Sequence, residues 1–229
     1  MAIEVKKATD LAKTSGLKVL LYGRSGVSKT SQAQYTGKTL MISMESGELV
    51  LSEAKNVDVI RVKTLSEIRE AYEYVKSKIN EYDTVFIDSL SELGSILVEH
   101  LKKDPEYGDL KNSMKLWMRY TEMMLQIAKS FRDLDGINVV LVALEESVKN
   151  GFEEIVMPLI PAKKAQSLLP SLYDEVLYLR ATEDDKREFV CHPTADVVAK
   201  DRSGKLEPTE PCTKEQGIGY IFKKIKGEK

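Results

Sequence analysis

The sequence predicts an α/β fold: a mostly parallel central sheet flanked by helices, with an antiparallel extension toward the C-terminus. Three observations predict it. Short apolar runs suited to buried strands recur at Lys18 to Tyr22, Thr39 to Met44, Asp83 to Ser89 and Ile137 to Leu144. Stretches between them carry apolar residues three and four apart, the spacing of one helix face. The first run opens directly into Gly23-Arg24-Ser25-Gly26-Val27-Ser28-Lys29-Thr30, which closely approximates G-x-x-x-x-G-K-[ST], the loop that cradles phosphate between a strand and a helix.

The chain's 229 residues suffice for one large α/β domain or two small ones, and 42% hydrophobic with 31% charged residues is ordinary globular composition. A net charge of -2 excludes a global basic field, so any nucleic-acid contact has to be local. No run approaches the roughly eighteen apolar residues that span a bilayer, and Met1 to Lys7 lacks a signal-peptide core. The expectation is a cytoplasmic protein with no membrane partner. Cys191 and Cys212 fit no zinc or redox spacing, and reduced thiols are expected.

In chain order, residues 1–16 read as an N-terminal segment before the first strand. In the loop that follows this strand, successive backbone N–H groups form a concave nest at a helix N-terminus, where the dipole also favours an anion. Gly23, Arg24, Ser25, Gly26, Val27, Ser28, Lys29, Thr30 and Ser31 are the candidate nucleotide-binding residues; Lys29 reaches the β and γ phosphates and Thr30 holds Mg²⁺. Ser28 stands where the second glycine is expected, at a point where backbone approaches phosphate closely. Serine is the smallest polar substitute and keeps its N–H. A helix over Ser31 to Tyr35 is expected to lead out of the loop.

Thr39 to Met44 is the second strand and ends in the polar turn Glu45-Ser46-Gly47-Glu48, and Val57 to Val62 alternates like a half-buried strand. Leu65, Ile68, Tyr72, Val75 and Ile79 share one face of a helix beginning near Ser66. The strand Asp83 to Ser89 ends in a carboxylate, Asp88, with two readings: a cap for the helix Leu90 to Leu101, or a magnesium ligand through water beside the phosphate loop. Paired with the loop, the second reading is preferred.

Lys102 to Asp109 breaks the helix. A long amphipathic helix follows, with Leu110, Met114, Trp117, Met118, Thr121, Met124, Leu125, Ala128 and Phe131 at helical spacing; this Met and aromatic stripe reads as core packing. Ile137 to Leu144 is a buried strand ending in Glu145-Glu146. Open α/β sheets bind ligands at the carboxyl ends of strands, which makes Glu145 a candidate sensor of a γ phosphate or its attacking water. Ser147 to Pro161 reads as a long loop, functional or mobile.

Tyr173 to Arg180 and Arg187 to His192 read as two strands joined by a charged turn. Cys191 and His192, as strand neighbours, point to opposite faces and make no site. A short strand from Val197 delivers Lys200 and Arg202, two apart and hence on one side, into a glycine turn. Such a pair can reach across a subunit interface and place guanidinium charge on a neighbour's γ phosphate. Residues 207–229 read as a C-terminal tail, partly helical.

The set LYGRSGVSKT, LMISMESGEL, YDTVFIDSLSEL, DPEYGDLKNSMKLWMRY, VVLVALEE, LYDEVLYLR and AKDRSGKL resembles the phage-encoded RecA-like ATPases that act as single-strand annealing recombinases. FIDSLSEL and AKDRSGKL are similar to the Walker B region and the lysine-arginine hairpin of RecA-like motors. The resemblance implies a RecA-like P-loop NTPase core over 17–206 that binds ATP with Mg²⁺ and hydrolyses it. It also implies head-to-tail assembly into a homo-oligomer, ring or filament, and binding of single-stranded DNA to promote annealing or strand exchange. A single-strand-binding protein is a candidate further partner.

Residue by residue, the resemblance implies Lys29 and Thr30 in the loop, Asp88 on the magnesium, and Lys200 with Arg202 as the contact made in trans. Glu45 follows the extra strand between loop and Asp88 and is implied as the general base, with Glu48 its competitor. The departure at Ser28 bears on hydrolysis rate more than on nucleotide binding. DNA contacts are expected from Ser147 to Lys164, with Lys102, Lys103 and Lys111, and with Tyr107 stacking on a base. Two rival classes stay open: a nucleotide-gated binding module with little turnover, and a small-molecule kinase. A kinase needs an arginine-rich lid, and only Arg119 and Arg132 lie between residues 89 and 136.

Overall fold

The computed structural model describes residues 7, 16–108, 113–151, 153–184 and 186–228. Its strands are β1 (Lys18–Gly23), β2 (Thr39–Ser43), β3 (Val57–Arg61), β4 (Thr84–Asp88), β5 (Asn138–Asn150), β6 (Glu153–Pro158), β7 (Glu175–Ala181), β8 (Arg187–Val190), β9 (Lys200–Asp201) and β10 (Thr209–Pro211). Its α-helices are α1 (Leu65–Ser77), α2 (Leu90–Lys103), α3 (Ser113–Arg132), α4 (Lys163–Leu168) and α5 (Gly219–Lys226).

The strands form one sheet in the order β10-β8-β7-β1-β5-β4-β2-β3. From β7 to β3 every neighbouring pair is parallel, and β8 and β10 extend the sheet antiparallel beyond β7. This is the mostly parallel sheet with an antiparallel C-terminal extension that the apolar runs predict. A parallel strand covered on both faces has to be apolar on both, and β1 is buried along its whole length. Leu20 and Tyr22 face one core with residues of α1, α2 and α3. Val19 and Leu21 face the other, with Ala33 and with Ile221, Phe222 and Ile225 of α5.

Local chemistry sets the helix starts. Thr64 and Glu67 form a reciprocal capping box, so α1 begins at Leu65. Ser89 caps α2, its Oγ accepting from the Glu92 N–H at 3.3 Å. Asp88 is therefore not the cap, and its carboxylate is left for other work.

Three expectations are sharpened or corrected. The helix expected after the phosphate loop is present and is a 3-10 helix, Thr30–Tyr35; the Thr36 hydroxyl turns back onto the Ala33 carbonyl (3.0 Å), and β2 starts three residues later. Ser147 to Pro161 is not a loop: β5 runs on to Asn150 and pairs antiparallel with β6. The turn signal was present in Asn150-Gly151, where Gly151 takes φ +67°.

The third correction concerns α3. Its N-terminal Met and aromatic stripe is not core, since Met114 is 72%, Trp117 40% and Met118 61% exposed. The buried stripe is displaced around the helix to Leu116, Tyr120 and Met123, joining the expected Thr121, Met124, Ala128 and Phe131. Apolar residues occupy two adjacent stripes there, and spacing alone does not say which one faces the sheet. Leu110 and Lys111 lie outside the described residues.

At the start of β7, Glu175 is 1% exposed. Its Oε1 accepts from the Ser203 N–H (3.2 Å), its Oε2 faces no donor, and the carboxyl hydrogen-bonds Asp201. Burial first, then the neighbouring Asp201 charge, push its pKa from 4.5 to about 8, so Glu175 holds a proton and donates it to Asp201. Below pH 4.5 the folded and unfolded chains both carry this proton. Between there and about 8 only the folded chain does, so this contribution to stability declines as pH rises through that window. Glu175→Gln keeps a donor toward Asp201 without the titration. It is expected to gain stability relative to the parent between pH 6 and 9 in urea denaturation, and equal slopes for the two proteins would refute the shared proton.

Candidate nucleotide-binding site

β1 delivers the loop at the carboxyl end of the sheet. A Cβ on Gly23 would lie 2.2 Å from the Leu179 carbonyl oxygen of β7, so only glycine lets the chain leave the sheet here. Gly26 takes φ +80° and Ser28 φ +76°; the serine thus adopts the left-handed backbone that glycine would supply. Its carbonyl accepts from Ser31 Oγ (2.8 Å) and Gln32 Nε2 (3.0 Å). Lys29 is buried, and its ammonium donates to the Gly23 and Arg24 carbonyls at 2.8 and 2.6 Å. Burial lowers its pKa, against the opposing pull of Asp88, Glu45 and Glu145. The loop is therefore a ring closed around one cation, with acidic groups behind it.

Holding serine in the left-handed region costs about 1–2 kcal/mol, partly offset by the extra chain entropy that glycine loses on folding. Ser28→Gly is expected to raise stability by about 0.5–1 kcal/mol, read from the denaturation midpoint. A less stable variant would mean that the hydroxyl, not the backbone, decides this position.

Thr30 Oγ1 donates to Asp88 Oδ2 at 2.6 Å. Asp88 is 3% exposed, and burial pushes its pKa up to about 6 despite the Thr30 hydrogen bond. A hydroxyl and a buried, under-compensated carboxylate converging on one point are hard oxygen donors of the kind that hold Mg²⁺. The register of β2 against β4 sets Ser43 opposite Asp88, so the residues just beyond meet as well. Ser89 Oγ donates to Glu45 Oε1, and Ser43 Oγ donates to the Glu45 carbonyl at 2.5 Å. Glu48 is engaged elsewhere, paired with Arg61 Nε (3.0 Å) and Nη2 (3.2 Å).

The register of β1 against β5 sets Gly23 opposite Leu144, which brings Glu145 beside the loop, its Oε1 2.8 Å from Arg24 Nε. Glu145 is not at a strand end as expected, because β5 continues into the hairpin, but its side chain reaches the same place. Its Oε2 is buried without a partner in the structure. Tyr178 of β7 lies near Glu145, and burial together with that negative charge pushes its phenol up to about 12.

A family model described as an AAA domain matches residues 15–203. The chain belongs to the AAA domain family. Among solved structures it is similar to a KaiC-like protein from the hyperthermophilic archaeon Pyrococcus horikoshii OT3, at 15% identity and a TM-score of 0.43, over 77% of this chain and 78% of that one. A comparison with curated proteins finds no match. This AAA domain is a nucleotide-binding P-loop domain.

Lys200 and Arg202 of the AAA domain lie away from their own loop. β9 pairs with Glu175 and Val176, at the start of β7, and the Arg202 N–H bonds the Asp174 carbonyl. Since β7 runs parallel to β1 with Val19 opposite Glu175, Lys200 and Arg202 stand at levels about 10 and 16 Å of strand from Gly23. Lys200 Nζ donates to the Tyr173 carbonyl at 2.5 Å, and Arg202 Nη1 pairs with Asp174 at 2.8 Å. Loop, Asp88, Glu45 and Glu145 thus gather at one end of the sheet, and the basic pair stands at the other.

Spacing did not single out Ser89 as the residue that holds Glu45, nor Tyr178, Arg180 and Arg187, which with Arg24 and Gly26 line a cleft of about 440 Å³ beside the loop. Tyr178 stacks on Tyr22 at 5.0 Å. Only the pairing of β7 with β1 brings these residues to the loop. Among the described residues, no helix is long and apolar enough to cross a membrane.

Proposed function

We propose that this AAA domain binds ATP with Mg²⁺ and hydrolyses it, as a RecA-like subunit that acts on single-stranded DNA. The observation that carries the reading is the meeting of Thr30 with Asp88, and of Ser89 with Glu45, beside the Lys29 loop. Lys29 and the loop N–H groups bind the polyphosphate, and the 440 Å³ cleft offers room for the nucleoside. Thr30 and Asp88 would hold Mg²⁺, which neutralises phosphate charge when bound. Glu45, aimed by the Ser89 hydroxyl, orients the attacking water and takes its proton.

Because the basic pair stands about 10–16 Å along the sheet from its own loop, it serves a neighbouring subunit, which calls for head-to-tail packing in a ring or filament. The Asp174 contact that holds Arg202 is solvent-exposed and exchanges readily for a phosphate. Single-stranded DNA, annealing or strand exchange and a phage source are supported by the resemblance that the order of the sequence motifs carries.

ATPase assays with and without single-stranded DNA test the reading. DNA-stimulated release of phosphate is expected. Phosphate transfer to a nucleoside monophosphate would make the protein a kinase, and tight nucleotide binding without turnover would make it a gated binding module.

A further inference from the structure

We propose that the exposed Met114, Trp117 and Met118 of α3, together with Lys163 and Lys164 of α4, form the surface on which unpaired nucleobases stack. The proposal rests on the single-stranded DNA reading above and gives it a location. Helix α3 already buries a complete stripe against the sheet, so core packing does not account for these three side chains. They floor a groove of about 500 Å³ whose other wall is Ala162, Lys163 and Lys164.

The indole is held in place. Trp117 packs edge-on against the buried Tyr120, with centroids 5.5 Å apart and rings at 72°, and its carbonyl accepts from Thr121 Oγ1 (2.8 Å). Among the described residues neither Lys163 nor Lys164 has an ion-pair partner. The groove's one acidic residue, Glu122, is paired with Arg119 at 3.3 Å. In a chain of net charge -2 this is a local positive site. Protein interfaces deplete lysine at their apolar centres. An aromatic platform beside free ammonium groups instead suits bases stacked in sequence with their phosphates alongside.

The groove is also connected to the nucleotide loop. Gln166 of α4 donates to Glu146 Oε2 (2.8 Å) and to the Pro158 carbonyl (2.9 Å), and the adjacent Glu145 meets Arg24 of the loop. A nucleotide that displaces Arg24 from Glu145 therefore acts on the strand that positions α4. DNA affinity is expected to differ between the free and nucleotide-bound protein.

Trp117 is the only tryptophan, so native fluorescence reports on this surface. The full chain is titrated with a dye-labelled oligothymidylate, with and without Mg²⁺ and a non-hydrolysable ATP analogue. Tryptophan quenching should saturate in step with dye anisotropy. Trp117→Ala should weaken binding about tenfold or more, with Trp117→Phe retaining most of it. Lys163→Glu with Lys164→Glu should also make the slope of log affinity against log salt shallower by about 1.4, for two lost phosphate contacts. Circular dichroism checks that each variant is folded.

Binding by anisotropy with unchanged tryptophan emission and unaffected variants would place DNA elsewhere, overturning this proposal while leaving the DNA reading intact. No binding in any nucleotide state would overturn both. Emission that changes with protein concentration alone, with no DNA effect, would make the surface a contact between copies.

Discussion

Glu45→Gln is expected to lower kcat by about 10²–10⁴-fold, the usual worth of a positioned general base, while nucleotide affinity stays at the parent level. Glutamine matches glutamate in shape and still accepts a hydrogen bond from Ser89 Oγ, so the turn after β2 keeps its place. What is lost is the ability to take a proton from water. The paired measurement is single-turnover hydrolysis together with equilibrium binding of a fluorescent ATP analogue. Glu48→Gln serves as the control, because Glu48 is held by Arg61 and its replacement should leave the chemical step alone. Full activity in Glu45→Gln would move the base to Glu145, whose Oε2 is buried without a partner beside the loop.

The second large effect tests the proposed head-to-tail packing. Arg202→Ala removes a guanidinium that, acting as an arginine finger, would be worth about 10³–10⁵ in kcat, and its own nucleotide binding should survive because Arg202 lies at the far end of the sheet. Lys29→Ala should lose binding outright, since its ammonium sits within the loop on the Gly23 and Arg24 carbonyls. Neither variant alone should turn over ATP. In an equal mixture, about a quarter of head-to-tail interfaces join an intact loop to an intact Arg202, and activity should return in that proportion. A mixture as inactive as its components would mean that Arg202 serves only to hold Asp174.

Much of the site was legible because it is written locally. A phosphate loop is one contiguous stretch after one strand, so Gly23 to Thr30 identifies itself, and Asp88 is marked by an apolar run that ends in a carboxylate. Even the serine at position 28 was visible, although not that its backbone would take φ +76°. The hairpin of β5 and β6 was readable from Asn150-Gly151 between runs that pair Val148 with Ile155; charged residues on its outer face hid the alternation.

The sequence by itself determined the parallel strands, the loop between β1 and the first helical turn, and the sheet's parallel class, since each depends on the spacing of residues close in the chain. Only the tertiary structure decided what those strand ends meet. That Ser89 holds Glu45, that Arg24 meets Glu145, that Tyr178 lines the loop and that Arg202 stands at the opposite end all follow from strand order and register. The same holds for Trp117, which spacing assigns to a helix stripe but only packing leaves in water. The physical reason is common to all of them: local geometry is set by backbone preference and apolar period, whereas neighbours are chosen by the burial of faces contributed by segments far apart in the chain.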